Sequence, residues 1–168
     1  FLMTGLNGRC CLLGIFSLIS FLLNAQSESG IRPVRPICEY MVNPSVVDVT
    51  QPRLSWNNEV IEPAMRGQKQ TAWQIRVASS PEKLMAGKAD LWDSGKQQSE
   101  ESNLIKYKGK ALESAQDCWW QVRVWDTEGN PSAWSNMEYW GMGLLKPSEW
   151  NAKWIGAPWQ GEEARESI

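Results

Sequence analysis

Residues 117–126 read DCWWQVRVWD. Successive side chains of an extended strand point to opposite faces, which puts Trp120, Val122 and Val124 on one side and Trp119, Gln121, Arg123 and Trp125 on the other. The first set is wholly apolar and predicts a core-facing surface. The second mixes two indoles with an amide and a guanidinium and predicts an outer face. Residues 72–79, AWQIRVAS, repeat the pattern: Trp73, Ile75 and Val77 alternate with Gln74 and Arg76. Period-two alternation in two separate segments argues for half-buried strands.

Working outward, further short extended segments are punctuated by turn residues. ICEYMV at 37–42 is expected as a first strand, ended by Asn43-Pro44 because proline cannot donate to a ladder. RLSWN at 53–57 is a second strand, 90–95 (DLWDSG) a short strand running into a turn, 103–107 another, and 134–141 the last. Pro81 to Met85 is expected as one helical turn capped by Ser80. Gly129, in the turn 127–131, supplies a residue that tolerates positive φ. Seven short strands in one domain-sized stretch predict an all-β, Ig-like or fibronectin type III-like sandwich over 36–146. Its core is expected to be rich in tryptophan, since 11 of the 168 residues are Trp.

The flanks differ in character. Met3 and Arg9 precede an uncharged apolar run at 10–23 (CCLLGIFSLISFLL), which is shorter than the ~20 residues that span a bilayer as a helix. Asn24-Ala25-Gln26-Ser27 then turns small and polar. Residues 1–25 are therefore expected to be a signal peptide cut after Ala25, with 26–35 a linker and the mature chain secreted or periplasmic. After Leu144-Leu145-Lys146 a new motif begins, and 147–168 is expected to open a second, truncated β domain.

Composition excludes several chemistries. The chain has no histidine, which removes His-based metal sites and Ser-His or Cys-His nucleophile systems. Its 17 basic and 19 acidic residues give a net charge of -2, and no basic patch suggests nucleic acid or an anionic membrane surface. Beyond the leader only Cys38 and Cys118 remain, enough for one bridge if an exporting compartment oxidises them, with two mostly buried free thiols the favoured expectation. No catalytic residue, cofactor site or metal site is assigned.

Several blocks, in order, carry a resemblance. They are Cys38-Glu39-Tyr40 with Asn43-Pro44, Gln51-Pro52-Arg53-Leu54-Ser55-Trp56, and Gln70-Thr71-Ala72-Trp73-Gln74-Ile75 leading into Val77-Ala78-Ser79-Ser80. Asp90-Leu91-Trp92-Asp93-Ser94-Gly95, Trp120-Gln121-Val122-Arg123-Val124-Trp125-Asp126 and Ser132-Ala133-Trp134-Ser135 follow, then Gly143-Leu144-Leu145 and Trp150-Asn151-Ala152-Lys153-Trp154-Ile155-Gly156. Together they resemble the amino-terminal region of bacterial α-L-rhamnosidases of glycoside hydrolase family 78. The resemblance implies a large exported hydrolase that removes terminal α-L-rhamnose with inversion, using a carboxylic acid and a carboxylate base. In that family the pair lies in a helical barrel further along the chain, and none of it is present in this sequence. Cys118 departs from the pattern, since an aromatic is expected at its position.

The acidic pairs Asp90 with Asp93, Glu100 with Glu101 and Glu162 with Glu163 read as solvated turns rather than a glycosidase dyad. The outer face of 117–126 has two readings. Trp119 and Trp125 could stack on a sugar, or that face could be covered by a neighbouring domain or by Arg123 and other guanidinium groups. Ser132-Ala133-Trp134-Ser135 resembles the tryptophan-serine motif of cytokine-receptor sandwiches, where Arg-Trp ladders occur. Two functions follow: an accessory module that positions downstream domains of a rhamnosidase acting on rhamnose-containing glycosides or polysaccharides, or an independent carbohydrate-binding or adhesion module. The block 150–156 favours the first, because an isolated sandwich has no use for it.

Overall fold

The computed structural model describes residues 28–61, 64 and 66–152. The leader expected at 1–25 and most of the segment expected to open a second domain lie outside the described residues. The elements are β1 (Ile31–Cys38), β2 (Arg53–Val60), β3 (Ala72–Ala78), α1 (Pro81–Met85), β4 (Trp92–Asp93), β5 (Gln97–Gln98), β6 (Ile105–Lys106), β7 (Asp117–Trp125) and β8 (Glu138–Gly141). They form two antiparallel sheets, ordered β1-β2-β6 and β4-β3-β7-β8, with β5 also pairing with β3. The layers close face to face as a sandwich, as the alternation predicts.

The longest register is β3 against β7, running from Ala72 opposite Trp125 to Ala78 opposite Trp119. It places the two apolar rows side by side, and Ile75, Val77, Trp120, Val122 and Val124 are fully buried. Leu54 and Trp56 from β2 and Ile31 and Cys38 from β1 meet them from the opposite layer. Trp56 and Trp73 bridge the layers edge to face at 5.9 Å, and Tyr107 and Trp140 do so at 6.1 Å. Removing an indole's ~150–250 Å² from water is worth a gross ~4–6 kcal/mol before ordering costs. Part of that gain is returned, because the buried indole N–H groups of Trp73, Trp120 and Trp140 find no acceptor among the described residues.

Three elements differ from the sequence expectation. The first strand begins at Ile31 rather than Ile37. Pro33 and Pro36 disguise it, but β1 lies at the margin of its sheet, where a missing N–H costs little. Arg35, at φ 50, makes the irregularity that shifts register between Val34 and Ile37. The stretch after Cys38 is not strand: Cys38 and Met41 exchange backbone hydrogen bonds of 2.9 Å around Glu39 and Tyr40, which have φ of 48 and 65. That is the geometry of a type I′ turn. Finally, β5 arises in the turn after Gly95, and the last strand starts at Glu138 rather than Trp134. The expected helical turn is present as α1, with the Lys83 N–H donating to Ser80 Oγ at 3.3 Å and Leu84 buried beneath it.

Residues 43–47 leave the first sheet and run along the outer margin of β8. Tyr139 N–H donates to Asn43 Oδ1 (2.7 Å), Gly141 N–H to the Pro44 carbonyl (3.0 Å) and Gly143 N–H to the Val47 carbonyl (2.8 Å). Val47 and Met142 form a parallel bridge. A Cβ on Gly141 would collide with the Ser45 carbonyl, so the close approach requires glycine there.

Candidate functional site

The outer face of β3 and β7 carries the densest polar and aromatic organisation in the molecule. The β3–β7 register sets Gln74 opposite Arg123 and Arg76 opposite Gln121. Arg123 donates from Nε and Nη2 to Gln74 Oε1 at 3.0 and 2.7 Å, and Gln74 donates onward to Asp93 Oδ1. Arg76 reaches the other Asp93 oxygen at 3.1 Å. Aromatic rings interleave with these cations. Trp134 lies 4.7 Å from both Arg76 and Arg123, while Trp125 lies 4.9 Å from Arg123 and 4.7 Å from Lys96. The order Arg76, Trp134, Arg123, Trp125, Lys96 is thus a ladder of alternating cation and indole. Burial first, and then the neighbouring Arg76 charge, hold the Arg123 pKa below the ordinary guanidinium value, with Asp93 opposing them.

Two serines position the ladder's central ring. Ser132 and Ser135 each exchange hydrogen bonds with β7: their hydroxyls accept from Val124 and Val122 N–H, both at 3.1 Å, and their own N–H groups donate to the same residues' carbonyls at 2.8 Å. The segment 132–135 therefore completes the margin of β7 without being a strand, which is why the extended element expected from Trp134 is absent. With both serines fixed, Trp134 is laid over Arg123. The stacking of Arg and Trp expected around Arg123 is present in this geometry.

The two candidate sugar-stacking residues fare differently. Trp125 is only 7% exposed and carries two cations against its ring. Its area is already used by the ladder. Trp119 is partly buried and tilts against Tyr139 at 5.1 Å, whose hydroxyl donates to Asp117. The structure does not bring Trp119 and Trp125 together as one platform. The acidic pairs likewise have structural partners: Asp90 accepts from the Ser79 N–H and hydroxyl and from Lys83, Asp93 holds Gln74 and Arg76, and Glu100 meets Lys69. Glu162 and Glu163 lie outside the described residues.

Sequence reasoning missed two polar anchors. Asp126 is buried, and it accepts from the N–H groups of Gly30 (3.0 Å), Glu128 (2.9 Å) and Asn130 (2.9 Å), tying the start of β1 to the turn after β7. Burial works to raise its pKa, but donation from Gly30, Asn130 and Glu128 outweighs that and leaves it lowered. Gln70 is also buried, and it accepts from Trp56 Nε1 at 3.0 Å while donating to the carbonyls of Ser99 and Glu101. The Asp-x-x-Gly-Asn spacing at 126–130 was the available signal for the first. The second had none, because its partners lie far away in sequence.

Cys38 and Cys118 are both buried and free, one on each sheet. Desolvation pushes each thiol up to about 12, and a nucleophilic thiolate is thereby suppressed. No group of three or more His, Cys, Asp or Glu converges as a metal site among the described residues.

A family model described as the Rha78A-like, N-terminal immunoglobulin domain matches residues 33–146. The chain belongs to that family. This Rha78A-like chain is 43% identical over 130 residues to an α-L-rhamnosidase of Streptomyces avermitilis, an alignment covering 77% of this chain and 12% of the relative. The crystal structure of the Streptomyces avermitilis α-L-rhamnosidase complexed with L-rhamnose superposes with TM-score 0.69 at 43% identity, over 76% of this chain and 12% of that one. An α-L-rhamnosidase from Dictyoglumus thermophilum gives TM-score 0.69 at 38% identity, over 74% and 14%. The Rha78A-like chain thus aligns with only 12–14% of these relatives' lengths.

Proposed function

We propose that this Rha78A-like domain is the non-catalytic amino-terminal module of an exported α-L-rhamnosidase, and that its work is to hold downstream domains of the same polypeptide in place. The observation that carries this is the match over 33–146 to a domain named for its amino-terminal place, in relatives that are α-L-rhamnosidases several times longer. Asp90, Asp93 and Glu100 are engaged in structural contacts, which supports placing hydrolysis of terminal α-L-rhamnose, by inversion at an acid and base pair, in other parts of the parent protein. Export to the periplasm or beyond rests on the leader-like 1–25. The ladder supports a scaffold role, since it stiffens the outer face of the larger sheet with aromatic area that an independent sugar-binding module would leave free.

The test has two arms. The chain incubated with an aryl α-L-rhamnoside is expected to release no rhamnose, and turnover would refute the non-catalytic assignment. The native gene read beyond Ile168 is expected to continue for several hundred codons into a helical domain bearing acidic residues. A stop codon shortly after Ile168 would refute the parent enzyme.

A further inference from the structure

Eleven large apolar side chains are exposed among the described residues, and five of them fall between residues 40 and 49: Tyr40 (66%), Met41 (48%), Val42 (67%), Val46 and Val49. Leu144 extends the group, because the Val47–Met142 bridge sets 46–49 alongside 142–144 and Val46 crowds Gly143. Scattered single apolar residues on a surface need no explanation, but here five share one ten-residue strip of chain, with exposed Asn43, Ser45 and Asp48 among them.

The backbone beneath the strip adds an independent observation. Glu39, Tyr40 and Asn43 all have positive φ although none is glycine. The Glu39 conformation is stabilised locally, since its carboxylate accepts from Arg53 N–H at 2.6 Å and from the Arg53 guanidinium. Asn43 is likewise held by the Tyr139 N–H. Tyr40 is fixed by the Cys38–Met41 bonds of its turn with the Arg53 guanidinium 5.3 Å from its ring, and Met41 and Val42 beside it expose apolar surface to solvent. The type I′ turn closed by the reciprocal Cys38–Met41 hydrogen bonds requires positive φ at Glu39 and Tyr40 and sets the Tyr40 side chain at the surface. Within the described residues nothing covers what this turn displays.

Position in the chain identifies the occupant. The described polypeptide passes the strip at Gly143 and Leu144, stays on the sandwich while Leu145 packs against the core and Ser114 accepts from Leu145 N–H and donates to Glu149, and then exposes Trp150 (68%). The relatives continue far beyond this point, the aligned part being 12–14% of their length. We infer that the strip on 40–49 with Leu144 is the docking surface for the polypeptide that follows Ala152 in the parent chain. This rests on the proposed reading of the chain as one module of a longer enzyme. A surface of apolar side chains with Asp48 as its one carboxylate suits a permanent intramolecular contact, in which the partner is tethered a few residues away and its effective concentration is high.

The experiment compares the 168-residue chain with the full product of its gene, each as wild type, as Val42→Glu with Val46→Glu, and as Val60→Glu. Val60 is a matched control: it is exposed and apolar but lies at the opposite end of the β1–β2 pair from Cys38. Amide hydrogen exchange over 40–49 is expected to slow at least tenfold in the full product relative to the short chain. The double variant should abolish that slowing and lower the melting temperature of the full product alone, while Val60→Glu does neither. Equal exchange in short and full chains, or equal effects of the double variant and Val60→Glu, would overturn the docking surface while leaving the parent-enzyme reading intact. A self-associating short chain that the double variant renders monomeric would also overturn it, by assigning the strip to a second copy. A reading frame that stops near Ile168 would instead remove the parent-enzyme reading and the inference with it.

Discussion

Replacing Arg123 by Met separates a structural ladder from an exposed aromatic platform. The side chain keeps an unbranched apolar stem and loses its charge and guanidinium plane. Two cation-π contacts vanish, those to Trp134 and Trp125, each worth ~0.5–1 kcal/mol at a partly solvated site. Gln74 is only 6% exposed, and its Oε1 loses both Arg123 donors; an under-satisfied buried acceptor costs ~1–2 kcal/mol more. The sum is roughly 2–4 kcal/mol, which at a urea slope of ~1.5 kcal/mol/M moves the unfolding midpoint down by roughly 1–3 M. Tryptophan fluorescence follows the transition directly, because the ladder and the core both contain indoles. Arg123→Lys restores charge without the planar fork and should recover only part of the loss. In a double-mutant cycle with Trp134→Ala the two losses should be less than additive, since each variant removes the same contact. A midpoint shift under about 0.3 M for Arg123→Met, with additive effects at Trp134, would refute the ladder as a stabilising device.

Three further outcomes are expected. Asp126→Ala leaves the Gly30, Glu128 and Asn130 N–H groups without their shared acceptor and should cost ~2–4 kcal/mol in urea unfolding, while Asp126→Asn, which keeps an acceptor oxygen, costs less. Stability should be flat near neutral pH and fall at both extremes. Asp90 is subject to burial, which raises its pKa, but bonds from Lys83 and Ser79 bring it down to about 2. Asp126 and Glu39 are also lowered, Glu39 chiefly by Arg53. Groups with depressed folded pKa values stabilise above their unfolded values near 4 and lose that contribution as pH drops through the folded ones. The two thiols, pushed up to about 12, contribute below their usual 9.0 and lose the contribution as pH rises beyond it. A urea midpoint that increases on acidification from pH 5 to pH 3 would contradict the sign. Finally, iodoacetamide at pH 8 should label neither Cys38 nor Cys118 in the native chain and both in urea without reductant, as read by peptide mass spectrometry. Labelling of neither in urea would reveal a bridge.

The layered β fold was legible because its two longest strands alternate without interruption, and the hydrophobic rows of 72–78 and 117–125 admit one arrangement. β1 was misplaced because prolines at 33 and 36 contradict strand propensity locally, and only its marginal place in the sheet makes them tolerable. That place is a tertiary fact. Cys38-Glu39-Tyr40 looked extended because Glu and Tyr are poor type I′ residues; the turn forms there because Arg53, fourteen residues on, holds Glu39. The indoles and Arg123 of the outer face could be named from alternation, but the choice between open platform and closed ladder depended on Arg76, Lys96 and Trp134, which arrive from other elements. Asp126 and Gln70 show the same limit for buried polar groups, whose partners are set by topology.

The path of residues 43–47 bears on the protein's solubility. With Asn43 and Pro44 accepting from Tyr139 and Gly141 of β8, and Val47 from Gly143 just beyond it, the outward N–H groups of this margin are already engaged. The opposite margin of the same sheet is broken into the two-residue strands β4 and β5, too short to template pairing. A chain lacking residues 1–47 would uncover β8, and such a product should polymerise by strand addition while the intact chain stays monodisperse.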